Sequence, residues 1–372
     1  MITLQQASLR HAQYYAKVIL NADQEYLKGG DSSETGLRIF DDNWKNIEIG
    51  QKWAAQNADQ YESAATLASE YPERGAQCLY MRQKPTDRVV WLESALAIAQ
   101  RRGFELVVAS LNGKLGLAYT ESGEYNRAID HYFILMKLAV KFNDLEGLCM
   151  GSCNLGILYD NMDMLDAAQE CFEYALRLTS NFSSQQFTEK VTGNLGLVLM
   201  KKGEFDQAID CFEKHLQLAR QNGDRWSEGN ALSNLGIARL KTQQYEQALA
   251  LMNESILINK KLDDPEGEAK NLGYIGTILD IQEDFEGAVA VFQKRISLAR
   301  QTEDSRGEAI GCWNLGKTLV KQKKYSQALE YMRRCVDYEQ SIGDPDWETD
   351  LIVVKQIEET FGSTEGQLSE GN

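Results

Sequence analysis

The chain has 372 residues, 39 basic and 55 acidic side chains, and a net charge of −16. Such an acidic balance excludes nucleic acid and anionic membrane as default partners, since both require basic faces. No apolar run is long enough to span a bilayer, the amino-terminal twenty residues lack a signal-type apolar core, and seven scattered cysteines match no disulfide framework. These features together predict a reduced, cytoplasmic protein.

With four prolines and no alternating Val/Ile/Thr-rich run, the expected fold is all-α. In chain order, residues 1–70 read as a helical bundle. Two long helices flank GGDSS at 29–33, and DQYESAATLASEY opens a third. Residues 71–104 read as a degenerate hairpin, with ERGAQCLYMRQ as its first helix and 88–104 as its second. Residues 105–345 hold six copies of a 40-residue unit. A capping helix is expected over 346–361, and the polar, glycine-rich 362–372 is expected to be disordered.

The repeat rests on a strict lattice. Glycine recurs at Gly116, Gly156, Gly196, Gly236, Gly276 and Gly316, and twelve residues later an alanine follows each time, from Ala128 to Ala328. Three residues before each alanine stands Tyr125, Leu165, Phe205, Tyr245, Phe285 or Tyr325. Each copy thus reads as two helices, the first carrying the glycine and the second the alanine. Small residues let the paired axes approach, and one hairpin cannot bury its apolar face alone, so copies must stack.

The leucine–glycine pair, the tyrosine three residues after it (Tyr119, Tyr159) and the aromatic-x-x-Ala step resemble the tetratricopeptide repeat family. The 40-residue length with N-L-G and a Gly-Asp turn is similar to the repeats of Pins-type adaptors and kinesin light chains. The resemblance implies a right-handed superhelical solenoid of helix hairpins with an N-terminal helical cap, its concave side lined by first helices. The run from Phe40 to Trp53 resembles the helical lead-in to repeat arms of bacterial signal-transducing NTPases. An N-terminal bundle before repeats is similar to the Rap-type regulators.

One stretch competes with this reading. GCWNLGKT, 311–318, fits the phosphate-loop template. Its second glycine, however, is the sixth lattice glycine, which puts the run mid-helix. Helical N–H groups are already bonded one turn back and cannot wrap a phosphate.

On the first helices, the groove positions are expected two residues before the glycine and one, four and five after it. The first row reads Lys114, Asn154, Asn194, Asn234, Tyr274, Asn314. Asparagine is a mediocre helix former, so its recurrence asks for a reason. Its amide can donate to and accept from a peptide backbone. The resemblance implies a peptide-clasping role for Asn154, Asn194, Asn234 and Asn314; the competing role is bonding between neighbouring helices. Tyr274 occupies the same row. Lys201, Lys241 and Lys321 in the last row, with Lys317, suggest an acidic peptide or a C-terminal carboxylate. Met200, Leu240, Val320, Leu197, Ile237 and Trp313 are candidates for added apolar contact. No cofactor, metal set or catalytic constellation is expected. The partner is a protein or peptide, and the chain reads as a non-enzymatic adaptor; a peptide-sensing regulator is the alternative.

Overall fold

The computed structural model describes residues 3–182 and 184–369. Among the described residues it contains eighteen helices and no strand. In order they are α1 (Leu4–Leu27), α2 (Asp31–Asn57), α3 (Glu62–Arg74), α4 (Ala76–Arg82), α5 (Pro85–Arg102), α6 (Glu105–Glu121), α7 (Tyr125–Phe142), α8 (Leu145–Asn161) and α9 (Leu165–Phe182). There follow α10 (Gln185–Lys202), α11 (Phe205–Asn222), α12 (Arg225–Lys241), α13 (Tyr245–Lys261), α14 (Pro265–Ile281), α15 (Phe285–Gln301), α16 (Ser305–Lys321), α17 (Tyr325–Ile342) and α18 (Trp347–Ser369). The chain divides into two compact units, Met1–Val191 and Thr192–Asn372, with the boundary inside α10.

In the first unit α1 and α2 form a long antiparallel pair, and α3 packs on both. The lead hairpin differs from expectation. Its first helix is α3 continued by α4, not a single segment over 73–83. Pro72 lacks an N–H to continue the α3 ladder, and the Ile19 side chain fills the space where a Cβ at Gly75 would sit. The chain restarts as α4, whose first amides, Gln77 N and Cys78 N, donate to the Asp23 carboxylate at 2.8 and 2.9 Å. Tyr71 locks the bundle by donating from its hydroxyl to Ala12 O, 2.6 Å away.

Each later hairpin uses the lattice glycine in the same way. A Cβ at Gly116, Gly156, Gly196, Gly236, Gly276 or Gly316 would run into the residue sixteen positions on: Tyr132, Phe172, Phe212, Met252, Phe292 or Met332. All six of those side chains are at most 1% exposed. The glycine therefore makes room chiefly for a large side chain of the second helix. The lattice alanines are fully buried beside it.

Turns recur at half the repeat. Positions 103, 123, 143, 163, 203, 223, 243, 263, 283, 303, 323 and 343 all have positive φ, between 53° and 80°. The matching position 183 lies outside the described residues. Only five of the twelve are glycine. Several of these positions are followed by an aspartate that caps the next helix: Asp144, Asp224, Asp264, Asp284 and Asp304 each accept from the backbone N–H three residues on.

α18 packs on α17 through Val354, which is buried with Leu329, Met332 and Val336. The helix runs to Ser369, past the boundary expected at 361. Polar composition denies a segment burial but does not bar helix, and FGSTEGQLS contains no proline to end one. Residues 370–372 of the expected disordered tail lie outside the described residues.

Candidate functional site

In the second unit the first helices touch one another: α12 meets α14, and α14 meets α16. The second helices α13, α15 and α17 make no such contacts with one another. First helices that crowd while second helices splay give a face that is concave along α12, α14 and α16.

The residues open on this face follow a stripe with steps of four and three. Measured from the lattice glycine they stand ten and six before, two before and one after. Trp226, Glu266 and Arg306 form the first row. Asn230, Lys270 and Ile310 form the second. Asn234, Tyr274 and Asn314 form the third, all half-buried. The row four after the glycine is off the stripe. Leu240 and Val320 are half-buried against the core, as are Trp313 and, although its row is otherwise open, Ile237. Leu197 is 41% exposed. The expected asparagine row lies on this open stripe, and from it the stripe continues towards the helix start rather than towards the lysine row. The rows ten and six before the glycine went unread because their residue types change from copy to copy.

Between α12, α14 and α16 lies a cavity of about 650 Å³. Tyr274 and Asn314 line it, with Asn230, Lys270, Arg306 and, from α15, Arg295. Trp226 and Ile310 offer apolar surface to it, 64% and 42% exposed. Burial lowers the proton affinity of Lys270 and Arg295, while Glu266 and Asp304 respectively oppose that effect.

The asparagine row divides by partner. The side chains of Asn154, Asn234 and Asn314 make no hydrogen bond to any described residue. Asn271 shows the contrast, donating inward to Ser255 Oγ at 3.0 Å and Gly267 O at 2.9 Å. Asn194, half-buried, has an interaction within the protein.

The four lysines do not gather around the cavity. Lys321 is paired with Asp280 at 2.5 Å, and Thr318 donates to the same carboxylate at 2.9 Å. Lys317 is exposed and acts on Asp350. Lys201 and Lys241 are exposed, and Lys201 has an interaction within the protein. The phosphate-loop-like run lies wholly inside α16, and both its glycines serve packing, Gly311 against Ile296 and Gly316 against Met332.

In the first unit, Asn154 stands on α8, and a second cavity of about 350 Å³ lies among α4, α5 and α6. Trp91, Tyr80 and Leu117 line it, and Arg88 stacks on Tyr80 while pairing with Glu121. The cysteines are free thiols. Burial pushes Cys78 and Cys149 up to about 12 and Cys171 and Cys312 up to about 11, which disfavours thiolate chemistry. The one set of side chains close enough to share a cation, among the described residues, is Cys335, Glu339 and Asp350. Sequence spacing hid it because Asp350 comes from α18. The Cys335 thiol there donates to Glu339 at 3.2 Å.

Solved structures with this fold include the apo form of the quorum sensor NprR from B. thuringiensis, at 14% identity and TM-score 0.60, over 90% of this chain and 99% of that one. A Rap protein complexed with competence and sporulation factor matches at 14% identity and TM-score 0.54, over 96% and 99%. A signal transduction ATPase with a tetratricopeptide repeat sensor, from Pyrococcus horikoshii, matches at 14% and 0.62, over 86% of this chain and 50% of that one. At such identities the likeness is one of fold. No curated protein sequence matches the chain. Tetratricopeptide repeat profiles match residues 110–146, 152–182, 187–261, 227–301 and 309–341. With its glycine–aromatic seams and stacked hairpins, the chain belongs to the tetratricopeptide repeat family.

Proposed function

We propose that this protein is a non-enzymatic interaction protein of the cytoplasm that takes a partner's peptide on the first-helix face. The observation that carries the reading is the pair of half-buried amides at Asn234 and Asn314 in the second unit, which have no hydrogen-bond partner among the described residues. Polar groups crowded by protein and left without partners gain most when a ligand supplies them. A peptide backbone offers donors and acceptors that suit an amide whatever its side chains.

The test is capture of partners from lysate of the native host, wild type beside Asn194→Ala/Asn234→Ala, with bound proteins identified by mass spectrometry. A protein kept by wild type and lost by the folded variant supports the reading. Equal retention by both would return the asparagines to a structural role.

A second reading is a peptide-sensing regulator. It is favoured by the length of the match to the Rap protein complexed with competence and sporulation factor, which takes in the N-terminal bundle as well as the repeats. Small-angle scattering with and without the captured partner's peptide separates the two. Compaction on binding fits a sensor, and an unchanged profile fits a passive adaptor. No helix among the described residues is long and apolar enough to cross a membrane.

A further inference from the structure

Away from the groove, three acid groups meet where the last repeat is capped. Cys335 and Glu339 stand one turn apart on α17, and Asp350 comes from the first turn of α18. Cys335 is 3% exposed, and Glu339 and Asp350 are half-buried. One donor atom from each lies within 4.8 Å of the other two.

These groups do not satisfy one another. The Cys335 thiol donates to Oε1 of Glu339 at 3.2 Å, but Oε2 of Glu339 is buried and has no hydrogen-bond partner. The Asp350 carboxylate receives no hydrogen bond from a described residue. A buried carboxylate oxygen without a donor destabilises the fold, and a cation relieves it. The chain brings no cation into contact. Arg333 pairs with Glu358 and Arg334 with Glu330, and Lys317 acts on Asp350 only from beyond ion-pair distance. Asp344 and Asp346 add negative charge around Asp350. Burial, then Glu339 and Asp350, raise the proton affinity of Cys335, as an anion-rich pocket must.

The donor set selects the ion. Calcium and magnesium take oxygen ligands, and copper(I) favours sulfur. One thiolate with two carboxylates suits zinc, which binds Cys sulfur at about 2.3 Å and carboxylate oxygen at about 2.0–2.2 Å in a tetrahedron. Such bonds place neighbouring ligand atoms about 3.5 Å apart. The thiol and Glu339 are already at 3.2 Å, and all three donors fall within 4.8 Å. Three protein ligands leave one position for water.

We propose that Cys335, Glu339 and Asp350 form a zinc site that fastens the start of α18 to α17. On binding, the thiol proton leaves to solvent, the sulfur donates a lone pair to the ion, and each carboxylate donates one as the anion. No electron is transferred. Asp350 is the ligand from α18, so the ion bridges the two helices whose apolar seam is Val354 against Met332 and Val336. Docking of the cap then depends on the ion. The site is independent of the peptide-binding reading.

The test uses the full chain, stripped with a chelator, and cobalt(II) as a coloured substitute for zinc. Wild type is expected to develop the thiolate-to-cobalt charge-transfer band in the near ultraviolet, and zinc to bleach it. Cys335→Ser should lack the band although the other cysteines remain. Asp350→Asn should bind cobalt at least about tenfold more weakly, since even groups that only orient a ligand are worth that much. This variant removes a charge from an acidic pocket and is expected to fold, which circular dichroism checks. Zinc should raise the melting temperature of wild type and leave that of Asp350→Asn nearly unchanged. Calcium and magnesium should move neither. No band in wild type, a band that survives Cys335→Ser, undiminished affinity in Asp350→Asn, or a melting shift reproduced by calcium overturns the proposal. Should Cys335→Ser not fold, Glu339→Gln joins Asp350→Asn in its place, and cobalt binding of wild-type strength in both counts against the site.

Discussion

Phe212 fills the space that a side chain at position 196 would need: a Cβ there would lie 2.6 Å from Cε1 of the ring. Phe212 is fully buried, so the ring has nowhere to withdraw. Gly196→Ala is expected to cost about 1–3 kcal/mol by overpacking, and Gly196→Leu at least as much. The smaller Phe212→Leu should couple to Gly196→Ala, with the double variant more stable than additivity predicts. Urea unfolding of the four proteins measures the coupling; strict additivity would show that the ring and the glycine do not share that space.

The left-handed turn positions carry a penalty that glycine would remove. Gln243, Glu283 and Lys323 sit at φ of 61°, 64° and 60° with long side chains that gain nothing from that conformation. Lys323→Gly and Glu283→Gly should each raise stability by up to about 1 kcal/mol, part of the gain being offset by the greater freedom of glycine in the unfolded chain. Asn143→Gly, at φ 53°, should change less, since asparagine tolerates this region. Thermal unfolding of the three variants checks the order; a larger gain at 143 than at 323 would refute it.

Asn234 and Asn314 are half-buried and their side chains have no hydrogen-bond partner among the described residues, so their removal should cost the fold little. Asn234→Ala and Asn314→Ala, in helices where alanine is the better former, should melt at or above the wild-type temperature. Asn271→Ala should melt lower, by about 1–3 kcal/mol, because it leaves a buried hydroxyl at Ser255 short of a donor. Circular dichroism melts settle this, and equal losses at all three positions would make the groove asparagines structural.

Much of this architecture was legible because a 40-residue period survives in single residue types. Gly116 through Gly316 and Ala128 through Ala328 face packing constraints that few other residues meet, so they repeat by identity. The period of twenty in the turns is written in conformation instead, and residues as different as Asp163, Gln243 and Lys323 satisfy it. Groove residues vary for the opposite reason: Trp226, Glu266 and Arg306 occupy equivalent places where no packing rule fixes the residue. Arg295 was readable only against its row, as a long cation where Leu135 and Ala175 stand in other copies. The break at Gly75 depends on Ile19, fifty-six residues away in the chain, and no local pattern carries it.

Asp350 gives the C-terminal cap a pH dependence. It lies in the first turn of α18, where a helix start favours a negative charge, yet its carboxyl is pushed up to about 6. Burial is the largest cause, followed by Glu339 and Asp346, and more weakly Asp344; Lys317 opposes them. The folded protein therefore binds this proton more tightly than the unfolded chain, whose carboxyl titrates near 3.8. Stability from this group is full below about pH 4 and is lost as pH rises through about 6. Asp350→Asn, uncharged throughout, should be more stable than wild type above pH 6, with the advantage shrinking as the pH falls towards 4. Paired melting curves across that window measure the difference directly, and common effects of the other carboxylates cancel between the two proteins. A difference that widens on acidification would mean that Asp350 is stabilised as the anion in the folded state, with the helix start and Lys317 outweighing burial and its acidic neighbours.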